Sequence, residues 1–427
     1  MGHYGTYKIS VLILLLLLII TFPLQAKILI PMDLRQSDHL KAYGVAYSVL
    51  ETGQEVEWLL NYRGGSFLTD DNPQIERICR IRGVSYENIS GSQAAEIYRI
   101  IESENMETVL LEKSPKVAVY APPPPAAEPW DDAVRLALEY AQIPYERVYD
   151  DEVLQGRLFE YDWVHLHHED FTGQYGKFYG MYRSAEWYIA GQALQESIAR
   201  RLGFKKVSKL KLAVVQEIKE YVHGGGFMFA MCSATDSYDI ALSAVKTDIC
   251  AAVFDGDPID PNCQNELDYS HCFVFEGFTL ITDPLVYEFS DIDTTPRTGR
   301  SPRGDQGDYF TLFDFSAKYD PVPCMLTQCH TSVVKGFMGQ TTGYKKSLIK
   351  KSVVIMGEVE GADEVKYLHS NYGDGTFTFF GGHDPEDYRH LVGDPPTQLN
   401  LYKNSPGYRL ILNNVLFPAA KKKKLKT

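Results

Sequence analysis

Three places in the sequence carry side chains able to do chemistry. In Gly224-Gly-Gly-Phe-Met-Phe-Ala-Met-Cys232-Ser-Ala234, a cysteine stands between a short apolar run and a stretch with helical character from about Asp236. Ala230 and Ala234 lie two residues to either side, as a nucleophile elbow requires, because its tight turn brings neighbouring backbones together. At such a turn the thiol faces a helix N-terminus, whose dipole and free N–H groups lower the thiol pKa and can hold an oxyanion near Ser233. The alternative is a buried cysteine that merely closes a core strand. Near the end of the chain, Thr376-Phe-Thr-Phe-Phe380 runs into Gly381-Gly-His383-Asp-Pro-Glu386, so that a histidine leaves a strand tip with acids close behind. A thiol needs a base to take its proton, and the imidazole needs an acid, Glu386 or Asp384, to fix its tautomer. The alternative there is a surface loop with a capping carboxylate. The third place is His165, His167 and His168, followed by Glu169 and Asp170. On a continuous strand His165 and His167 point to one face and His168 to the other, so at most two imidazoles converge without a bend. Two histidines and a carboxylate suit zinc; the reading taken is that His165, His167, His168, Glu169 and Gly173 line a substrate site beside the cysteine, with no metal.

The elements that must position these groups follow from periodicity. From Lys27, a short apolar run, a helix capped by Asp38 to about Leu50, and a strand from Glu55 to Leu60 open a compact α/β unit over 27–113. Asn61 to Phe67 breaks regularity, and helices are expected around Ile75–Ile81 and Gln93–Glu104. A second α/β series begins with the strand Lys116–Tyr120, then a proline loop, a helix over Trp130–Ala141, and strands at Tyr145–Tyr149 and Asp162–His168. The stripe Leu210, Val214, Ile218, Val222 marks a helix that ends at Gly224 and leads into the strand Phe227–Met231. Strands alternating with helices imply a mostly parallel open sheet with helices on both faces. In such a sheet the strands' C-terminal ends share one rim, where ligands bind, and both the histidines and Cys232 end strands. Residues of about 248–350 read as an insertion rich in Asp, Pro and Gly. Regularity then returns with Ser352–Met356, Val365–His369, a turn at Asn371–Gly375, and a last helix capped by Ser405-Pro406 and ending at Phe417.

Cys232 on a strand-to-helix elbow, followed much later by a strand ending in His383 with Glu386 behind it, resembles the class I glutamine amidotransferase-like superfamily over roughly residues 114–417. The resemblance implies Cys232 as nucleophile, His383 as proton relay and Glu386 as orienting acid. His-Asp-Pro-Glu inserts Asp384 between the family's usual neighbours and makes it a rival for that last role. Through LIPMD, HLHHEDFTGQYGKFYG, GGGFMFAMCSATDS and GGHDPEDY, the whole chain resembles exported bacterial proteins labelled asparagine synthetase B. Asparagine synthesis itself is not expected. It would use a cysteine exposed by removal of Met1 and an ATP-pyrophosphatase loop, whereas residue 2 is Gly and no such loop is present.

Composition sets the class. Hydrophobic residues at 44% and charged residues at 23% are globular values. A net charge of −14 makes nucleic acid an unexpected partner. Lys8, the apolar run Val11–Ile20 and Ala26 before Lys27 read as a cleaved signal peptide over 1–26, because ten apolar residues are too few for a transmembrane span of about 20. The expected location is therefore periplasmic or secreted. Seven cysteines leave at least one thiol without an internal partner, with Cys263/Cys272 and Cys324/Cys329 as candidate local pairs. The tail over 418–427 is basic. These readings converge on an exported thiol hydrolase acting on an amide or related acyl bond in a small molecule or peptide, without a cofactor. The other reading is a non-catalytic envelope protein that keeps the fold for binding or assembly with an envelope partner.

Overall fold

The computed structural model describes residues 26–123, 129–294, 304–389 and 391–421, apart from the side chains of 321–323. The apolar leader through residue 25 and the lysines from 422 onward lie outside these residues. No helix among the described residues is long and apolar enough to cross a membrane.

The first unit is a five-stranded sheet built from β1 (Lys27–Ile30), β2 (Val56–Leu60), β3 (Ser66–Asp70), β4 (Glu87–Ile89) and β5 (Glu107–Leu111), in the order β4-β1-β3-β2-β5. Every pairing in it is antiparallel. Two strands, β3 and β4, fall where the sequence shows no clear strand pattern. They are three to five residues long, and β3 follows Gly64 and Gly65, both at positive φ. Three helices accompany the sheet: α1 (His39–Glu51), capped by Asp38, α2 (Pro73–Arg82) and α3 (Gly91–Ser103).

The second sheet is mixed. Its parallel half comprises β6 (Val117–Tyr120), β7 (Glu146–Val148), β8 (Trp163–Leu166), β9 (Phe227–Met231) and a later strand, Gly375–Phe380, in the order second-first-third-fourth-fifth. The other half is antiparallel, so "mostly parallel" describes only the half that holds the site. It contains β10 (Tyr309–Leu312), β11 (Val333–Lys335), β12 (Tyr344–Lys345), β13 (Val354–Glu358) and β14 (Glu364–Tyr372). β14 joins β15, the Gly375–Phe380 strand, through a two-residue turn with Gly373 at φ 60°. The segment read as an insertion thus supplies three of these strands.

Alternation along β9 shows that both faces are covered. Phe227, Phe229 and Met231 join one core with Val134, Leu138 and Leu410, while Met228 and Ala230 join another with Leu210, Val214 and Ile218. Helices α4 (Ala133–Ala141) and α8 (Pro406–Leu416) occupy the first side, and α6 (Val207–His223) the second; α5 (Glu186–Arg201) and α7 (Ser233–Ser243) complete the major helices. The two sheets share the first core, which also contains Tyr43, Trp58 and Phe67. Arg409, fully buried on α8, ties them together by donating to the carbonyls of Met32 and Gly64 and to the Tyr43 hydroxyl. Among the described residues no disulfide forms, so the local pairs Cys263/Cys272 and Cys324/Cys329 do not occur; Cys272 Sγ instead donates to the Asp239 carbonyl at 3.3 Å.

Candidate active site

β9 must become α7 with no linker, since Met231 ends the strand and Ser233 begins the helix. Cys232 makes that turn alone, at φ 54° and ψ −141°, a region that L-residues with a Cβ rarely enter. Its neighbours are small for the reason expected: Ala230 and Ala234 are fully buried, and the Ala234 N–H donates to the His167 carbonyl at 2.9 Å. That bond ties the elbow to the end of β8, which pairs Leu166 with Ala230 in parallel register. The histidine segment and the cysteine therefore share one rim.

The thiol differs from expectation. Burial pushes the Cys232 pKa up to about 12, the backbone N–H groups of Ser233 and Gln340 oppose the rise, and nearby Asp236 and Asp293 add to it. The helix start does not prevail, because Cys232 is only 4% exposed and two carboxyl groups lie near it. Asp236 is itself held well above the usual carboxylate range by burial and by Asp293, and its Oδ1 accepts from Thr341 Oγ1 at 2.8 Å.

β8 stops at Leu166, so His167 and His168 do not alternate as strand residues. Their rings stack at 3.8 Å, and both lie close to His383, with ring centroids 4.7 and 4.6 Å away. Three imidazoles thus gather where an unbroken strand would bring at most two. His165, still within the strand, is buried beneath them with Nδ1 3.3 Å from the Phe229 carbonyl.

Asp132 organises this group, although the sequence reading absorbed it into a helix starting at Trp130. It is the N-cap of α4, and its Oδ1 accepts from the N–H groups of Val134 (2.8 Å) and Arg135 (3.0 Å). The same oxygen lies 3.3 Å from His165 Nε2 and 3.2 Å from His167 Nδ1. Burial opposes its ionisation, but the adjacent imidazoles of His165 and His167 outweigh that and hold its pKa well below the usual range. A carboxylate there favours the His167 proton on Nδ1 and the lone pair on Nε2. His168 Nε2 lies 2.9 Å from the Asp131 carbonyl, which puts its lone pair on Nδ1.

The acids expected to orient His383 are engaged elsewhere. Asp384 Oδ1 accepts from the N–H groups of Glu386 and Asp387 and Oδ2 from the Tyr408 hydroxyl at 2.8 Å, so it holds the loop to α8. Glu386 faces Ser405, the cap of α8; burial raises its pKa and the Ser405 hydroxyl opposes the rise. Both carboxyl groups thus turn toward α8.

Cys232, Ser233, His168 and His383 open on one cavity of about 580 Å³, whose far wall comes from residues after 280, including Tyr287, Glu288 and Gln340. The exposed guanidinium of Arg389 stands at its edge. A second cavity of about 560 Å³ adjoins it through Trp130, His168 and Phe178 and is lined by aromatic rings such as Trp187 and Tyr188. Glu169 faces this second space; burial raises its pKa to about 7 against the pull of Lys211, whose Nζ is 3.7 Å away. Gly173 lines neither cavity. At φ 82° it packs on the start of α6, where a Cβ would lie 2.6 Å from the Ser208 nitrogen. The acidic run Asp255–Asp260 is answered by a lysine: Lys206 Nζ is 3.1 Å from Asp255, 2.6 Å from Asp257 and 2.5 Å from Asp248.

Asp132, Gln340, Tyr287 and Arg389 were not identified from the sequence. Only Asp132 left a signal there, as a capping residue before an apolar helix; the others reach the cavity through tertiary contacts.

No protein-family model and no curated protein matches the chain. Among solved structures, two Salmonella typhimurium proteins titled Cytoplasmic Protein STM3548 and STM1381 are 11% and 12% identical to it. Each alignment covers 72% of this chain and 100% of the other, with TM-scores of 0.35 and 0.36. Gan42B, a GH42 beta-galactosidase, is 10% identical over 64% of this chain and 28% of its own, at a TM-score of 0.25. Likenesses this distant carry no functional argument.

Proposed function

We propose that this chain is a thiol hydrolase of an amide or related acyl bond, arranged in the manner of class I glutamine amidotransferases and acting outside the cytoplasm. The observation that carries the proposal is Cys232, held at a strained strand-to-helix turn on the wall of a cavity that His383 also lines. Strain of this kind costs about 1–3 kcal/mol, persists only where the surrounding structure over-determines it, and clusters at active sites. Because burial favours the protonated thiol, attack is coupled to its deprotonation. Sγ bonds to the carbonyl carbon while His383 takes the proton, and the oxyanion is met by the N–H groups of Ser233 and Gln340. His383 then protonates the leaving amine, and water releases the acyl group. His167, oriented by Asp132 and with its ring 4.7 Å from that of His383, takes over from Asp384 and Glu386 in steadying His383. Arg389 at the cavity edge suits a substrate with an anionic group.

The burial of the thiol favours a second reading, a non-catalytic envelope protein that keeps the fold for binding or assembly. The two separate on treatment of metal-free protein with an activated ester such as p-nitrophenyl acetate. The hydrolase acylates once per chain, at Cys232, and slows by about 100-fold or more in His383→Ala. Labelling spread over several cysteines, or indifferent to His383→Ala, refutes the hydrolase and favours the scaffold.

A further inference from the structure

The imidazoles of His167, His168 and His383 each offer a ring nitrogen, and these nitrogens all lie within 4.8 Å of one another. Two of the three rings are anchored from behind. His167 Nδ1 rests against the Asp132 carboxylate at 3.2 Å, and His168 Nε2 against the Asp131 carbonyl at 2.9 Å. Each ring thereby turns its other nitrogen away from the oxygen that holds it. This is the outer-sphere arrangement of metal-binding histidines, in which an oxygen acceptor fixes the tautomer and raises the basicity of the ligating nitrogen. Asp132 is itself fixed by two backbone N–H groups of α4 and by His165, so the support does not depend on a mobile side chain.

A second group, Asp132, His165 and His167, is also close enough to chelate, but it is fully buried and its carboxylate already accepts from the helix start. The three-histidine group instead includes His168 and His383, which line the cavity, so a fourth coordination position would open toward a water or ligand there. Imidazole donors and an open fourth position suit zinc, at about 2.0–2.1 Å from each nitrogen. His167 and His168 stack at 3.8 Å and 17°, so taking up the ion requires these rings to turn out of the stack until their lone pairs converge.

We infer that His167, His168 and His383 form a zinc site on the wall of the Cys232 cavity, with Asp132 as the residue that positions His167. Zinc on His383 occupies the nitrogen that would relay the thiol proton, so the metal-bound chain is blocked in thiol chemistry. Only this last consequence rests on the proposed hydrolase.

The test is equilibrium dialysis of the full mature chain, stripped with EDTA, against zinc chloride, with metal measured by elemental analysis. One zinc per chain is expected in the wild type and in Cys232→Ser, and none in His168→Ala or His383→Gln. Asp132→Asn, which keeps the helix cap, binds 10- to 100-fold more weakly. Circular dichroism of each variant confirms folding, and the milder Asp132→Asn decides if a histidine variant unfolds. Failure of the folded wild type to take up stoichiometric zinc overturns the inference, as does uptake lost in Cys232→Ser and kept in the histidine variants. The hydrolase is judged separately. If metal-free protein does not acylate at Cys232, that reading fails whatever the zinc stoichiometry; if it does, one equivalent of zinc should suppress acylation at least 10-fold.

Discussion

Replacing Cys232 by glycine and by alanine tests whether the elbow stores strain. At an ordinary buried position alanine is the more stable of the two. Glycine costs about 0.5–1 kcal/mol in backbone entropy and forgoes about 0.8 kcal/mol from burying a methyl group, together roughly 1.5 kcal/mol. At φ 54° and ψ −141° the balance shifts, because alanine keeps a Cβ in a region that costs about 1–3 kcal/mol whereas glycine enters it freely. Taking about 2 kcal/mol for the strain, glycine should equal alanine or exceed it by about 0.5 kcal/mol. Both variants lose the sulfur, so that contribution cancels in the comparison. Urea denaturation followed by tryptophan fluorescence measures the difference, since Trp163 on β8 lies in the same core as β9. An alanine variant more stable than glycine by 1 kcal/mol or more would show that the turn is unstrained and remove the main support for Cys232 as a nucleophile.

Asp132→Ala should be less stable than Asp132→Asn by about 1–2 kcal/mol, because both lose the ion pairs to His165 and His167 but only alanine also loses the α4 cap; equal losses in thermal or urea unfolding would mean the cap is not what Asp132 supplies. Gly44→Ala on α1 would place a Cβ 1.7 Å from the Ala141 carbonyl oxygen on α4, and forcing the helices apart should cost about 3 kcal/mol, visible as a lowered urea midpoint. Acid should unfold the protein through buried neutral histidines. Burial and the Arg409 charge hold His39 down to about 4, and burial with His39 and Arg409 holds His330 to about 3. Because these folded values lie below the unfolded 6.5, their stabilisation is complete above that pH and is lost as pH falls toward 4, on the order of 3 kcal/mol for His39; a flat unfolding midpoint between pH 7 and 4.5 would contradict this. Asp239→Ala should cost about 3 kcal/mol or more and loosen residues near 273 to hydrogen exchange, because its carboxylate accepts from the N–H groups of Phe273, Val274 and Phe275.

What the sequence determined by itself was local. The stripe Leu210, Val214, Ile218, Val222 specifies α6 because burial of one helical face repeats every 3.6 residues. Asp38 and Ser405-Pro406 mark helix starts because a capping oxygen or a proline serves at a first turn and nowhere else in a helix. Cys232 between Ala230 and Ala234 was legible as an elbow because steric crowding at the turn admits only small neighbours. Its thiol pKa was not, since burial and the neighbouring Asp236 and Asp293 depend on elements that pack only in the folded chain. The antiparallel first sheet also stayed hidden, because strands of three to five residues carry too few alternations to reveal direction or partner. So did the convergence of His167, His168 and His383. It depends on β8 ending at Leu166 and on residues some 215 positions later arriving at the same rim, and spacing along the chain holds no record of either.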